Sequence, residues 1–311
     1  MTDWTPPPYA DPTSFTEEEI TLDAADRRTG GTLTLPQTPT GRGVVLLTGG
    51  GPLDRDETSG PNKPLKDLAW GLASQGVTVL RFDKFTTGHP ELMGEPGFTM
   101  SAEYVPHGVA AVRLLRRYVD QVFLVGHSMG GKVAPLIATE EPRVAGLVIM
   151  AGDTQPMQHA CVRVMRYLRT TNPEAVTDEL VDQFIRQAAV VDSPDLSLDT
   201  PAADLPFGAP PSFWLELRDY DPVATAAALD RPILVLQGGR DYQVTVANDL
   251  PAWREGLPAA TIRILDNANH LFIPGTGPST LSDYERPGHL DPSAVATILA
   301  WLPSASEMHA M

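Results

Sequence analysis

The chain has 311 residues, of which 42% are hydrophobic and 20% are charged, and its formal net charge is −16 at pH 7. This length and composition fit one large α/β domain with an insertion, or two small domains, and they argue against disorder. The strong negative charge repels nucleic acids and anionic membranes, so we expect neither as a partner.

Cysteine content and the start of the chain bear on its compartment. The single cysteine, Cys161, permits no intramolecular disulfide, which fits a reducing environment. The first twenty residues contain the acidic run 17–19 and no apolar stretch after a basic start, so no signal peptide is predicted. No apolar stretch reaches the roughly 18 residues that a membrane helix requires. We therefore expect a cytoplasmic protein.

The predicted elements begin with an antiparallel hairpin, formed by short strands at 20–22 and 32–35 around a turn at Gly30-Gly31. Short apolar runs then recur, which is typical of parallel strands buried on both faces. They lie at 43–47, 77–82, 122–125, 144–150, 233–236 and 261–265. Helical spacing of apolar residues predicts helices at 65–74, 109–118, 132–138 and 292–301. This alternation predicts an α/β fold with a mostly parallel, twisted sheet flanked by helices.

One long segment, between the strands that end at residue 150 and begin at residue 233, departs from this alternation. It contains two predicted helices, at 158–169 and 174–189, followed by a proline-rich stretch at 194–211. A structureless loop of this length is improbable in a compact domain, so we interpret the segment as an inserted helical cap. The predicted division is a core domain of residues 1–152 and 231–311, and a cap of residues 153–230.

The segment Gly126-His127-Ser128-Met129-Gly130 matches the pattern G-x-S-x-G. It follows the predicted strand 122–125 and opens a helix at Gly131, which is the context in which the pattern carries chemistry. A sharp strand-to-helix turn exposes the serine Oγ, requires small neighbours, and places it at a helix N-terminus that favours negative charge. We predict that Ser128 is a nucleophile.

A serine nucleophile needs a base, and the base needs an orienting acid. On a sheet of this kind they follow the serine in the order acid, then histidine, each after a strand. Asp241 follows the predicted strand 233–236, and His270 follows the predicted strand 261–265. Asp241 is therefore the predicted acid and His270 the predicted base.

Other residues compete for these two roles. His289 precedes the last predicted helix and is an alternative base, whereas Asp266 and Glu285 are alternative acids. His127 sits beside the nucleophile, and we interpret it as a structural residue that points away from the site.

Acyl transfer also needs hydrogen-bond donors for the oxyanion that develops. The backbone N–H of Met129, directly after the nucleophile, is one predicted donor. The second comes from the glycine-rich loop after the first parallel strand, with Gly50 preferred and Gly51 next. No metal or cofactor is predicted, because no cluster has metal-ligand spacing and this loop lacks the lysine of a phosphate-binding loop.

Several segments resemble the EstD-like bacterial carboxylesterases of the α/β-hydrolase superfamily. They are residues 49–56, 126–131, 236–244, 269–272 and 284–291. The likeness runs from about residue 43 to residue 302, and its G-P-x-D-R-D and Y-E-x-P-G-H sequences make it specific. The chain departs from the family after residues 81–84, where relatives continue with an R-G-x-G-x-S-like loop. The resemblance implies the α/β-hydrolase fold, a cap, and hydrolysis of short-chain acyl esters by Ser128, Asp241 and His270.

The predicted substrate is a small-molecule ester with a short to medium acyl group. Gly51, Phe272 and Trp214 are candidate substrate contacts. The candidates for an apolar acyl pocket, which are equally candidates for the packed core of the cap, are Met157, Met165, Phe184, Phe207, Phe213 and Trp214. Three alternatives stay open: a thioesterase, lactonase or acyltransferase; a cofactor-free perhydrolase or haloperoxidase; and a non-catalytic binding protein. The sequence also leaves open a homodimer formed through the cap helices.

Overall fold

A computed structural model of the protein describes residues 4–303, which form an eight-stranded sheet in the order β1-β2-β4-β3-β5-β6-β7-β8. The first two strands are antiparallel to their neighbours, and the other six run parallel to one another. The strands are β1 (Phe15–Ala24), β2 (Arg27–Pro36), β3 (Arg42–Leu47), β4 (Thr78–Phe82), β5 (Gln121–His127), β6 (Val144–Met150), β7 (Ile233–Gly238) and β8 (Thr261–Leu265). The predicted α/β class and mostly parallel sheet are confirmed.

Ten α-helices accompany the sheet in the described residues, together with short 3₁₀ turns at Pro90–Gly94, Ala202–Asp204 and Pro206–Gly208. The helices are α1 (Pro64–Ala73), α2 (Met100–Leu115), α3 (Met129–Glu140), α4 (Met157–Thr171), α5 (Asp178–Asp192), α6 (Pro211–Asp219), α7 (Pro222–Ala227), α8 (Leu250–Gly256), α9 (Leu281–Glu285) and α10 (Pro292–Trp301). Within residues 4–303, none of them has the length and apolar character needed to cross a membrane.

Strand β3 shows why these segments form parallel strands. Val45 and Leu47 pack on one face of the sheet, in a core that α2 and α3 cover. Val44 and Leu46 pack on the opposite face, which α1 and α10 cover. Because successive side chains point to opposite faces, burial on both sides requires a continuous apolar run, and this is the pattern that the sequence displays.

The hairpin of β1 and β2 is present, but its predicted turn at Gly30-Gly31 is wrong. The chain turns at Ala25 and Asp26, which both take positive φ angles, 48° and 58°. Gly30 and Gly31 lie inside β2, where neither takes a positive φ angle and the absence of a side chain leaves room for neighbouring groups. A Cβ on Gly30 would lie 2.4 Å from Arg55 Nη2, so a side chain there would displace this arginine.

Helix α2 begins earlier than the predicted start at residue 109. Thr99 caps its first turn, because its Oγ1 accepts a hydrogen bond from the Ala102 amide (3.1 Å), and the helix then continues through Pro106. A proline inside a helix removes one backbone hydrogen bond. Burial of apolar side chains such as Met100 and Tyr104 offsets that loss.

The segment between β6 and β7 is helical and is attached to α3 at both of its ends. It contains α4 to α7, of which α6 and α7 were not predicted. Near its start, Asp153 Oδ2 pairs with Lys132 Nζ at 2.6 Å, in a buried setting. Near its end, the Tyr220 hydroxyl donates to the main-chain oxygen of the same Lys132 (2.8 Å). The domain boundaries at residues 153 and 230 stay a prediction.

Candidate active site

Ser128 occupies a strained turn between β5 and α3. Its φ and ψ are 52° and −118°, a conformation that non-glycine residues rarely adopt. The turn is so tight that a Cβ on Gly126 would lie 2.2 Å from the carbonyl oxygen of Gly130. A Cβ on Gly130 would lie 2.5 Å from the carbonyl oxygen of Leu47. Both flanking glycines are therefore required by close backbone contacts, and the serine side chain stands at the carboxyl edge of the sheet.

Asp241 and His270 lie in the loops after β7 and β8 and contact each other. His270 Nδ1 donates to Asp241 Oδ2 at 2.7 Å. The other carboxylate oxygen, Oδ1, accepts from the backbone amides of Gln243 (2.7 Å) and Val244 (3.0 Å). The Asp241 side chain is 0% exposed, so these hydrogen bonds replace the water that its charge would otherwise need. The geometry leaves His270 with one ring nitrogen, Nε2, for other partners.

Five of the predicted site residues line a single cavity of about 530 Å³. Ser128 and His270 both line it, as do Met129, Gly50 and Gly51. Gly50 and Met129 are neighbours across the cavity floor, since a Cβ on Gly50 would lie 3.7 Å from Met129 Cβ. The amide of Gly50 has no hydrogen-bond acceptor in the described part of the chain.

The competing residues are placed elsewhere. His289 Nδ1 contacts Asp67 Oδ2 at 3.1 Å, and this carboxylate also accepts from the Leu290 amide. Asp266 and Glu285 are both exposed on the surface, whereas the partner of His270 is buried. None of these three residues lines the cavity that contains Ser128.

Two of the three candidate substrate contacts also lie outside the lining of this cavity. Trp214 is 0% exposed and packs edge-on against Phe213, with 5.6 Å between the ring centroids. Phe272 is 1% exposed and packs against the ring of His127. Their predicted contact with substrate finds no support in this cavity, whereas Gly51 does line it. Both side chains instead fill the interior, as large apolar groups generally do.

The sequence did not predict a buried hydrogen-bond network that connects Gly49, Glu57, His127 and the loop of His270. Glu57 Oε1 accepts from the Gly49 amide (2.9 Å) and from His127 Nδ1 (2.7 Å). His127 Nε2 donates to the main-chain oxygen of His270 at 2.7 Å. Because both partners of the His127 ring are acceptors, both of its nitrogens must donate, which is the charged imidazolium.

The opposite charges of Glu57 and His127 stabilise each other. Burial disfavours a charged imidazole, but the Glu57 carboxylate outweighs that effect and raises the pKa of His127. Burial likewise disfavours the charged carboxylate, and the opposite charge and hydrogen bond of His127 hold the pKa of Glu57 below its usual value. The prediction that His127 points away from the site is therefore wrong, because His127 lines the cavity and connects Glu57 to the loop of His270. The only sequence signal for Glu57 is its place directly after the family-like segment 49–56.

The rest of the cavity lining is mostly apolar and comes largely from the inserted helices. One face of α4 contributes side chains at helical spacing, namely Met157, Ala160, Cys161, Val164 and Met165. Met93, Phe98, Phe207 and Phe213 also line the cavity. Of the predicted acyl-pocket candidates, Phe184 and Trp214 do not line it, and Phe184 packs against Phe207 instead, with 5.3 Å between ring centroids. The ionisable side chains of the lining are the acids Glu57, Glu103 and Asp153, the histidines 127 and 270 and the thiol of Cys161, and none of the lining residues is a lysine or an arginine.

A family model described as the alpha/beta hydrolase family matches residues 44–281. The chain therefore belongs to the α/β hydrolase family. It is 34% identical over 310 residues to the esterase EstD of Thermotoga maritima, a match that covers 97% of this chain and 71% of that protein. This relationship identifies the chain as a carboxylesterase-type hydrolase.

Solved structures agree with the fold. The esterase domain of a Rhodothermus marinus protein is 19% identical, with a TM-score of 0.56 over 92% of this chain and 97% of that one. Est1E from Butyrivibrio proteoclasticus, in a structure with bound ferulic acid, is 14% identical, with a TM-score of 0.57 over 90% and 98% of the two chains. At such identities these likenesses concern the fold alone.

Proposed function

We propose that this chain hydrolyses uncharged carboxylic esters of short to medium acyl length. Ser128 is the nucleophile, His270 the general base, and Asp241 the acid that orients the base. The observation that supports this most strongly is the 2.7 Å contact between Asp241 and His270 in the cavity that the strained Ser128 also lines.

The reaction divides into two acyl transfers. Ser128 Oγ forms a bond to the ester carbonyl carbon while Nε2 of His270 takes the hydroxyl proton, and Asp241 stabilises the imidazolium that results. The amides of Met129 and Gly50 donate to the oxyanion. The ester C–O bond then breaks, and the alcohol leaves with the proton from His270. Water then attacks the acyl-enzyme while His270 takes one of its protons. The bond between the acyl carbon and Ser128 Oγ breaks, His270 returns the proton to Oγ, and the carboxylic acid is released.

The lining of the cavity argues for the substrate class. We propose that residues 153–230 act as a cap and that α4 packs against the acyl chain through its apolar face. The carboxylates of the lining are already paired, Glu57 with His127, Glu103 with Lys84 and Asp153 with Lys132. The remaining lining is mostly apolar and contains neither lysine nor arginine, so an anionic substrate would lose its water there without gaining a new partner. This argues against thioesters of phosphorylated carriers and for uncharged oxygen esters, while lactones remain compatible with the same site.

The test is hydrolysis of p-nitrophenyl esters from acetate to decanoate by the wild type and by Ser128→Ala. We expect activity that peaks at one chain length and falls about 10⁴- to 10⁶-fold in the variant, because the nucleophile, base and acid act as a unit. The monoanionic p-nitrophenyl succinate is the matched substrate for charge, and we expect it to be hydrolysed far more slowly than the butyrate ester. A folded wild type that hydrolyses none of these esters would contradict the proposal. Equal rates on succinate and butyrate would contradict its charge selectivity.

A further inference from the structure

Gly49, the first residue of the glycine-rich loop, is held at both of its backbone polar groups by buried side chains. Its amide donates to Glu57 Oε1 at 2.9 Å. Its carbonyl oxygen accepts from Lys84 Nζ (2.7 Å) and from the Tyr104 hydroxyl (2.6 Å). Three side chains from separate parts of the chain thus converge on one buried residue, although nothing in the reaction described above uses Lys84 or Tyr104.

Lys84 is unusual because it is only 2% exposed and is nevertheless fully hydrogen-bonded. Its Nζ contacts the carbonyl oxygens of Gly49 and Gly51 and the hydroxyl oxygen of Tyr104 (3.1 Å). An ammonium group has three N–H donors, so these three acceptors match it, whereas a neutral amine could serve only two. Burial lowers the pKa of Lys84, and the nearby Glu103 carboxylate, 3.7 Å away, opposes that effect.

Peptide geometry converts this anchoring into a direction for the next amide. In a trans peptide the C=O of one residue and the N–H of the following residue point in opposite directions. Fixing the Gly49 carbonyl on Lys84 and Tyr104 therefore turns the Gly50 N–H away from them. Gly50 is exposed where it lines the cavity, and its N–H has no acceptor within residues 4–303.

We infer that Lys84 and Tyr104 are positioning residues, which fix the Gly49–Gly50 peptide so that the Gly50 N–H meets the developing oxyanion. The positive charge of Lys84 at the carbonyl end also polarises this peptide, which strengthens its N–H as a donor in the transition state. Glu57 fixes the other side of Gly49, because its carboxylate accepts from the Gly49 amide. The inference rests on the proposed function, because it assigns the oxyanion donor of that reaction.

The test compares Tyr104→Phe and Lys84→Met with the wild type. We expect kcat to fall about 10-fold in Tyr104→Phe and about 100-fold in Lys84→Met, with KM nearly unchanged, because an oxyanion interaction acts in the transition state. Affinity for butylboronic acid, which forms a tetrahedral adduct on the serine, should fall by similar factors. Tyr9→Phe is the matched control: its hydroxyl donates to the main-chain oxygen of Leu290 (2.8 Å), remote from the cavity, and neither quantity should change.

The possible outcomes distinguish a failure of this inference from a failure of the proposed function. The inference would be overturned if kcat and boronate affinity were unchanged in Tyr104→Phe. It would also be overturned if Tyr9→Phe lowered these two quantities as much as Tyr104→Phe does. If Lys84→Met does not fold, Tyr104→Phe decides the matter alone. An inactive wild type would instead contradict the proposed ester hydrolysis. Boronate affinities of the wild type and of Tyr104→Phe would then still test whether Tyr104 positions the Gly49–Gly50 peptide.

Discussion

The two walls of the cavity are built on different principles. The wall formed by the sheet edge is polar, and its groups are fixed by hydrogen bonds, as His270 is by Asp241 and the Gly50 peptide by Lys84. The wall formed by α4 is apolar, and side chains such as Ala160 and Met165 contribute contacts without directional partners. Directional groups lose their geometry when one partner changes, whereas apolar contacts lose only area or volume. We therefore expect substitutions in the first wall to affect the chemistry and substitutions in the second to affect the choice of acyl group.

The largest expected effect comes from the polar wall. Asp241→Asn keeps the shape of the side chain but allows its amide to donate to Nδ1 of His270, which moves the proton of the neutral ring to Nε2. Nε2 then cannot accept the proton of Ser128, and we expect kcat to fall about 10³- to 10⁴-fold. The measurement is steady-state hydrolysis of p-nitrophenyl butyrate. Asp266→Asn makes the same change at an exposed neighbour and should keep wild-type kcat. A loss in Asp266→Asn with an active Asp241→Asn would reverse the assignment of the acid.

An intermediate effect is expected in the apolar wall. Ala160→Phe places a ring in the volume that we assign to the acyl chain, so the ratio of kcat/KM for decanoate to that for acetate should fall about 10- to 100-fold. Val162→Phe is the matched control, because Val162 lies on the same helix but lines a groove on its outer face. If Ala160→Phe lowers kcat/KM equally for decanoate and acetate, the contrast between the two walls does not hold.

The smallest effect concerns Cys161, which lies in the apolar wall beside Ala160. Burial, and then the charge of Asp153, raise the pKa of its thiol to about 12, so at pH 8 almost none of it is the reactive thiolate. We expect iodoacetamide to leave the native protein unlabelled at pH 8 and to alkylate one cysteine per chain in urea, as counted by mass spectrometry. Cys161→Ala should retain wild-type kcat/KM. Rapid labelling of the native protein at pH 8 would contradict the burial and the raised pKa of this thiol.

The parts of the molecule that the sequence predicts well are those with a strong local cause. The parallel strands are continuous apolar runs because both faces of the sheet are covered, and three of their ends carry Ser128, Asp241 and His270. The order of these residues along the chain and their positions after strands favour them as candidates over His289, which the structure places outside the cavity.

Other features depend on contacts between distant parts of the chain. Glu57, Lys84 and Tyr104 meet at Gly49 only in the folded protein, and each by itself reads as an ordinary surface or core residue. The burial of Trp214 could not be predicted for a related reason, since a large apolar side chain in a helix packs equally well into a core or a cavity. The glycines of β2 were interpreted as a turn because crowding by Arg55 cannot be inferred from neighbouring residues.

Lys132 sets a limit on how the inserted helices can move. It holds Asp153 near the start of the segment and Tyr220 near its end, and its own amide donates to the main-chain oxygen of Ser128 (3.0 Å). Moving the whole segment away as a rigid lid would separate a buried ion pair and break a half-buried hydrogen bond, which is costly. Substrate entry is therefore expected to proceed by local bending of the segment far from these two attachments. The floor beside Ser128 would stay unchanged from one turnover to the next.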